Sequence, residues 1–174
     1  MKSFDVMERN DISLATEHGR FNYRVGAIIV YDGHLLMVKN ANFPYYYSVG
    51  GRVQFDETSA EAVLREVHEE TRIKMEIERL AYVHENFFTW EIGNQPCHEI
   101  AFFYNVKPAD NRSLAALQCR SHGDDGGAES LFWLPLDRLS DYDLYPEFFK
   151  TEAQNLGKEF GHYITRDETT CRVI

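Results

Sequence analysis

Residues 22–30 (NYRVGAIIV) and 34–39 (HLLMVK) are β-branched and aliphatic runs, and the Asp32-Gly33 pair between them favours a tight turn. A hairpin is predicted there. Asn40 to Tyr47, with Pro44, reads as a loop, Gly50 and Gly51 permit backbone angles and close approaches that side chains forbid, and Val53 to Phe55 reads as a short strand. From Thr58 the period changes. Ala60, Val63, Leu64, Val67 and Thr71 recur at three- and four-residue intervals, and Thr58 with Glu61 has the spacing of a capping box, so a helix with one buried stripe is predicted. Residues 75–88 and 97–107 are apolar and aromatic runs split by a polar turn, giving two more strands. A long loop over 108–129, rich in glycine and aspartate, has the length of a lid or substrate loop. Leu131 to Leu134 returns as a strand, Pro135 starts a short helical turn, and Pro146 to Leu156 reads as a terminal helix. No repeat or linker divides the chain, so a single domain is expected over 1–174, with a polar N-terminal extension at 1–20 and a core over about 22–156. The irregular alternation favours an α/β class with a mixed sheet and helices on its faces over a doubly wound parallel fold.

Composition sharpens this picture. At 174 residues, 44% of them hydrophobic, the chain can fill a substantial core, which excludes disordered and fibrous classes. A formal charge of -10 repels polyanions and argues against a sequence-independent grip on long nucleic acid. Cys97, Cys119 and Cys171 are widely spaced and form no CxxC motif, so neither a disulfide framework nor a zinc site is read. The polar N-terminus lacks a signal-peptide core and no stretch reaches the roughly 20 apolar residues of a membrane span, so no membrane partner and a cytoplasmic location are expected.

The charge is local. Residues 54–70 hold six acids against one base, and residues 124–152 hold eight against two. On the predicted helix, Glu69 lies about 60° to one side of Glu66 and Glu70 about 40° to the other, so three carboxylates project from one face. Their repulsion is relieved if a hard divalent cation such as Mg²⁺ or Mn²⁺ takes carboxylate and carbonyl oxygens as ligands. A metal of this kind would let an acidic protein bind a phosphate compound.

Gly51, Glu57, Arg65-Glu66, the aliphatic Val67, Glu69-Glu70 and Ile73 stand at the intervals of the Nudix box, and in this the chain resembles the Nudix hydrolases. The departure is Arg72, where the family has a glycine that ends the helix in a left-handed conformation; a side chain there is expected to cost about 1 kcal/mol of strain or to force a different helix end. Asp56 also sits where many relatives carry glycine, and Asp tolerates left-handed angles better than most residues. The resemblance implies a Nudix-type α/β/α sandwich and metal-dependent hydrolysis of a diphosphate linkage in a nucleoside diphosphate joined to another moiety, with water as nucleophile. It further implies Glu66, Glu69 and Glu70 as ligands of Mg²⁺ or Mn²⁺ together with the carbonyl of Gly50 or Gly51. Either Glu66 or Glu69 would take the proton of the attacking water, and Glu57 with Arg65 would form an ion pair that orients the loop against the helix. The alternative is a Nudix-fold nucleotide-binding or regulatory module with little catalysis.

Beyond the box, Glu99, Asp124, Asp125 and Glu129 are candidates for a further acid. Arg52 is in place to reach a phosphate, and Tyr46, Tyr47, Phe88 and His98 are candidates for contact with a base or leaving group. The partner implied is a small nucleoside diphosphate derivative, and the reading leaves room for a homodimer.

Overall fold

The computed structural model describes residues 10–90, 93–110, 114, 117, 121–122, 129–166 and 169–174. Along the chain run β1 (Ser13–Thr16), β2 (Gly19–Ile28), β3 (Val30–Tyr31), β4 (His34–Asn40), β5 (Tyr46–Ser48), β6 (Gly50–Arg52), α1 (Ser59–Thr71), β7 (Met75–Trp90) and β8 (Gln95–Pro108). They are followed by β9 (Ser121–His122), β10 (Glu129–Pro135), a 3-10 helix (Leu136–Asp141), β11 (Leu144–Tyr145), α2 (Phe148–Glu152), β12 (Gly161–Arg166) and β13 (Thr169–Arg172). One seven-stranded sheet has the order β1-β2-β8-β7-β12-β13 with β6 also on β2, and a six-stranded sheet has the order β11-β5-β4-β10-β9 with β3 also on β4. The first mixes parallel pairs (β2 with β8, β7 with β12) with antiparallel ones.

The sandwich follows from alternation on strands buried on both faces. Leu36 and Val38 of β4 point into one cluster with Val25 and Ala27 of β2 and with Ala62, Val63 and Val67 of α1. Their neighbours Leu35 and Met37 point into a second cluster with Ile28, Leu139 of the 3-10 helix, and Phe148 and Phe149 of α2. Helices therefore cover opposite sides of the sheets, an α/β/α sandwich with mixed sheets.

The turn at Asp32-Gly33 forms with φ of 47° and 72°, the left-handed pair that Asp-Gly favours. The hairpin around it is shorter than its sequence suggests. Only Val30–Tyr31 pairs with β4, because the run from residue 22 crosses from one sheet to the other near Ile29 and β2 pairs with β8 and β6. The strand expected at 53–55 is displaced to Gly50–Arg52. The polar segment before residue 20 contains β1, and the helix expected over 146–156 is a single turn, Phe148–Glu152, with two further strands beyond it. Among the described residues no helix is long and apolar enough to cross a membrane.

Candidate active site

α1 begins as its sequence requires. Thr58 caps it, with its backbone N–H donating to Glu61 Oε2 at 2.9 Å and its hydroxyl accepting from the Glu61 N–H at 3.2 Å. Arg72 ends it at φ 60°, its N–H donating to the His68 carbonyl at 2.9 Å. The left-handed exit expected of a glycine is thus kept by an arginine. Asp56 likewise sits at φ 65°. The apolar stripe seats Val63, Val67 and Thr71 in the interior as predicted, with Ala62 fully buried and Ala60 and Leu64 only partly so.

That seating turns the acids toward the glycines. A Cβ on Gly51 would lie 2.4 Å from the carboxylate of Glu66, so the missing side chain is the space that the carboxylate occupies. At Gly50, with φ 145°, a Cβ would lie 2.2 Å from the Val25 carbonyl oxygen of the neighbouring strand. The Gly50 N–H donates to Glu70 Oε1 at 3.1 Å, while Glu70 Oε2 is enclosed and has no hydrogen-bond partner among the described residues. Burial pushes the Glu70 carboxyl well up, against the Gly50 hydrogen bond, and the charges of Glu129 and Glu66 push it further. Burial also raises Glu66, opposed by a hydrogen bond from Arg65.

Arg65 is a fork spent on three acids. It donates to Glu57 Oε1 at 2.6 Å and Oε2 at 2.9 Å, to Glu66 Oε1 at 2.7 Å, and to the Arg52 carbonyl at 3.0 Å; Glu69 Oε2 lies 3.7 Å away. Burial of Glu57 works upward, but the hydrogen bonds from Arg65 and from the Gln54 N–H outweigh it and hold that carboxyl below its usual value. Glu57 and Arg65 therefore tie the loop before α1 to the helix.

Glu129, at the start of β10, joins this group through Tyr47, whose hydroxyl donates to Glu129 Oε1 at 2.6 Å. Tyr46 faces the other way, packed edge-on against Phe132 and Tyr142. Arg52 donates to Asn22 Oδ1 at 3.4 Å and lies 3.6 Å from Asp11, and Glu99 accepts from Asn22 at 2.9 Å with Arg24 at 3.7 Å. Phe88 and His98 line a separate cleft of about 420 Å³ at the far end of β7 and β8. Asp124 and Asp125 lie outside the described residues.

Sequence reading missed Arg24 and Asn22. Arg24 acts electrostatically on Glu66, Glu70 and Tyr47, and Asn22 is almost fully buried between Arg52 and Glu99. Both stand on a strand whose alternation is plain, but only pairing with β6 and β8 brings them beside the box.

Among the described residues no three acids, histidines or cysteines stand together as a metal-holding group; Arg65 donates to Glu66 and the Gly50 N–H to Glu70. The donor chemistry nonetheless fits a hard divalent cation: clustered carboxylates, a buried Glu70 oxygen without a partner, and carbonyls flanked by glycine.

A family model described as the NUDIX domain matches residues 20–154. The chain belongs to the Nudix family. A MutT-like protein from Streptomyces ambofaciens is 38% identical to this Nudix chain over 61 residues, covering 35% of this chain and 40% of that relative. Among solved structures, a mutator MutT protein from Bacillus halodurans superposes with a TM-score of 0.61 at 15% identity, covering 87% of this chain and 97% of the other. A NUDIX hydrolase from Nitrosomonas europaea gives 0.59 at 15% identity over 95% and 99%. These likenesses show a shared fold. β1, β12 and β13 lie outside the matched residues of this Nudix protein.

Proposed function

We propose that this Nudix protein is a metal-dependent pyrophosphohydrolase that cleaves the diphosphate linkage of a nucleoside diphosphate joined to another moiety. The observation that carries the reading is the gathering of Glu66 and Glu70 against Gly51 and Gly50, with Glu70 Oε2 enclosed and without a partner among the described residues and the charge of Glu129 acting on it. Glu66, Glu69 and Glu70, with the carbonyl of Gly50 or Gly51, would hold Mg²⁺ or Mn²⁺, and Glu129 is the further acid that this arrangement favours over Glu99. When bound, such an ion offsets charge developing on the diphosphate oxygens and lowers the pKa of a bound water.

The chain's own groups do the rest. Glu66 or Glu69 accepts the proton of the water whose oxygen attacks phosphorus, the bridging P–O bond breaks, and two phosphate-bearing products leave. Arg65 and Glu57 position the acids on the loop. Arg24, 3.7 Å from Glu99, and Arg52, 3.6 Å from Asp11, stand beside the box as the two cations for a phosphate oxygen. The left-handed Arg72 preserves the end of the box helix, so that departure from the family pattern gives the binding module no support. A small-molecule substrate and a cytoplasmic setting accompany this reading.

The test is turnover across nucleoside diphosphate derivatives with Mg²⁺ or Mn²⁺. Glu70→Gln or Glu66→Gln is expected to lower it by at least 100-fold, as loss of a group acting on the transition state does. Full activity in either variant would sink the assignment.

A further inference from the structure

One face of β2 carries Arg20, Asn22 and Arg24, and strand register sets what each of them meets. Asn22 lies between Ser13 of β1 and Glu99 of β8, and Arg24 lies directly opposite Arg52 of β6. Like charges opposed on antiparallel strands repel, so this pair costs stability unless anions offset it. The protein offsets it only from a distance: Glu99 Oε2 is 3.7 Å from Arg24, and Asp11 Oδ2 is 3.6 Å from Arg52. The two arginine side chains remain 36% and 34% exposed, so a further anion can reach both. The charge of Arg24 acts on Glu66 and Glu70, and the Arg52 carbonyl accepts a hydrogen bond from Arg65 at 3.0 Å, so the pair stands at the box.

Between these cations is an amide that is 3% exposed. Asn22 Oδ1 accepts from the Ser13 hydroxyl at 2.8 Å and from Arg52 Nε at 3.4 Å, while Asn22 Nδ2 donates to Glu99 Oε2 at 2.9 Å. That oxygen of Glu99 is the one that faces Arg24. A buried amide adds little net stability even when fully bonded, but it fixes the direction of each group it bonds. Ser13 and Asp11 precede residue 20, where the family match begins, so part of this arrangement comes from the N-terminal strand. We infer that Asn22 is a positioning residue for the diphosphate, holding Arg52 directly and Arg24 through Glu99 so that both guanidinium groups face the box. The inference rests on the reading of the box as the diphosphate site.

Imidodiphosphate, a pyrophosphate analogue with nitrogen in place of the bridging oxygen, allows binding to be measured with Mg²⁺ and without turnover. In titration calorimetry on the full chain, Asn22→Ala, which adds no charge, should bind it roughly 10-fold or more weakly than the wild type, the scale for losing a group that orients another. Asn22→Asp combined with Glu99→Gln keeps the net charge and reverses donor and acceptor across the same bond, and should bind within about 3-fold of the wild type. Asn22→Asp alone sets two carboxylates against each other and should bind as weakly as Asn22→Ala; it carries the test should Asn22→Ala unfold. In turnover of a nucleoside diphosphate derivative, the single variants should raise KM with kcat nearly unchanged, because the arginines hold ground state and transition state alike, a split that loss of folded protein does not produce. No binding by the wild type, wild-type affinity in both single variants, or no recovery in the double variant overturns the inference. Absence of metal-dependent turnover alongside Asn22-dependent binding would instead overturn the hydrolase reading alone.

Discussion

Arg72 occupies a backbone conformation that glycine enters freely and an arginine enters at a cost of about 1 kcal/mol. Arg72→Gly should therefore stabilise the protein by up to about 1 kcal/mol, read as a higher urea midpoint at unchanged slope; a loss of stability would show that the arginine side chain makes a compensating contact. His84 makes a second prediction at this scale. Burial, aided by the charge of His162, lowers its pKa from 6.5 to about 4, and its Nε2 lies 2.8 Å from the Thr165 hydroxyl. Folded His84 stays neutral where the unfolded chain takes up a proton. Its contribution to stability is complete above pH 6.5 and is lost as pH falls toward 4, at about 1.4 kcal/mol per pH unit. Unfolding free energies of wild type and His84→Phe, measured at pH 7 and pH 5, should converge on the wild type's disadvantage by roughly 2 kcal/mol at the lower pH.

Elements decide which of these residues meet. The pair Tyr46 and Tyr47 is informative, because neighbouring residues on β5 point to opposite faces: Tyr46 packs against Phe132, and Tyr47 reaches Glu129. Burial and the Glu129 charge raise the Tyr47 hydroxyl, so it remains a donor throughout the working pH range. Tyr47→Phe frees Glu129 and should weaken Mg²⁺ activation by roughly 10-fold, the usual scale for losing a group that orients a ligand. A Mg²⁺ titration of initial rates checks it; an unchanged half-saturation would separate Glu129 from the metal site. Helix α1 was legible in detail, from its capping box to the face carrying three glutamates, because 3.6-residue periodicity and capping are local. β2 was only half legible. Its apolar run is continuous, and nothing local marks the point near Ile29 where the chain leaves one sheet for the other.

At the scale of the molecule, the C-terminal strands are part of the core. Tyr163 of β12 stacks face to face on Phe148 at 4.1 Å, meets Tyr82 edge-on at 5.6 Å, and hydrogen-bonds Glu152 through its hydroxyl. Tyr163→Ala should cost about 3 kcal/mol in urea unfolding, in line with other large aromatic truncations; a change below about 0.5 kcal/mol would make the hairpin a surface ornament. The strands were missed because residues 161–172 mix polar and apolar positions in short alternating runs, and only pairing with β7 identifies them.

The amino-acid order alone determined the box helix, its caps, the glycine pair ahead of it and the acids it presents, since each depends on neighbours within about four residues. It also located half of the excess negative charge on the box. Tertiary structure decided which distant groups join the box. The charge of Glu129 acts on Glu70, and Arg24, paired with Glu99, acts on the same carboxyl from a strand far away in the chain. Strand pairing makes those choices through register, in which a shift of one residue sends a side chain to the opposite face, and no local pattern encodes that.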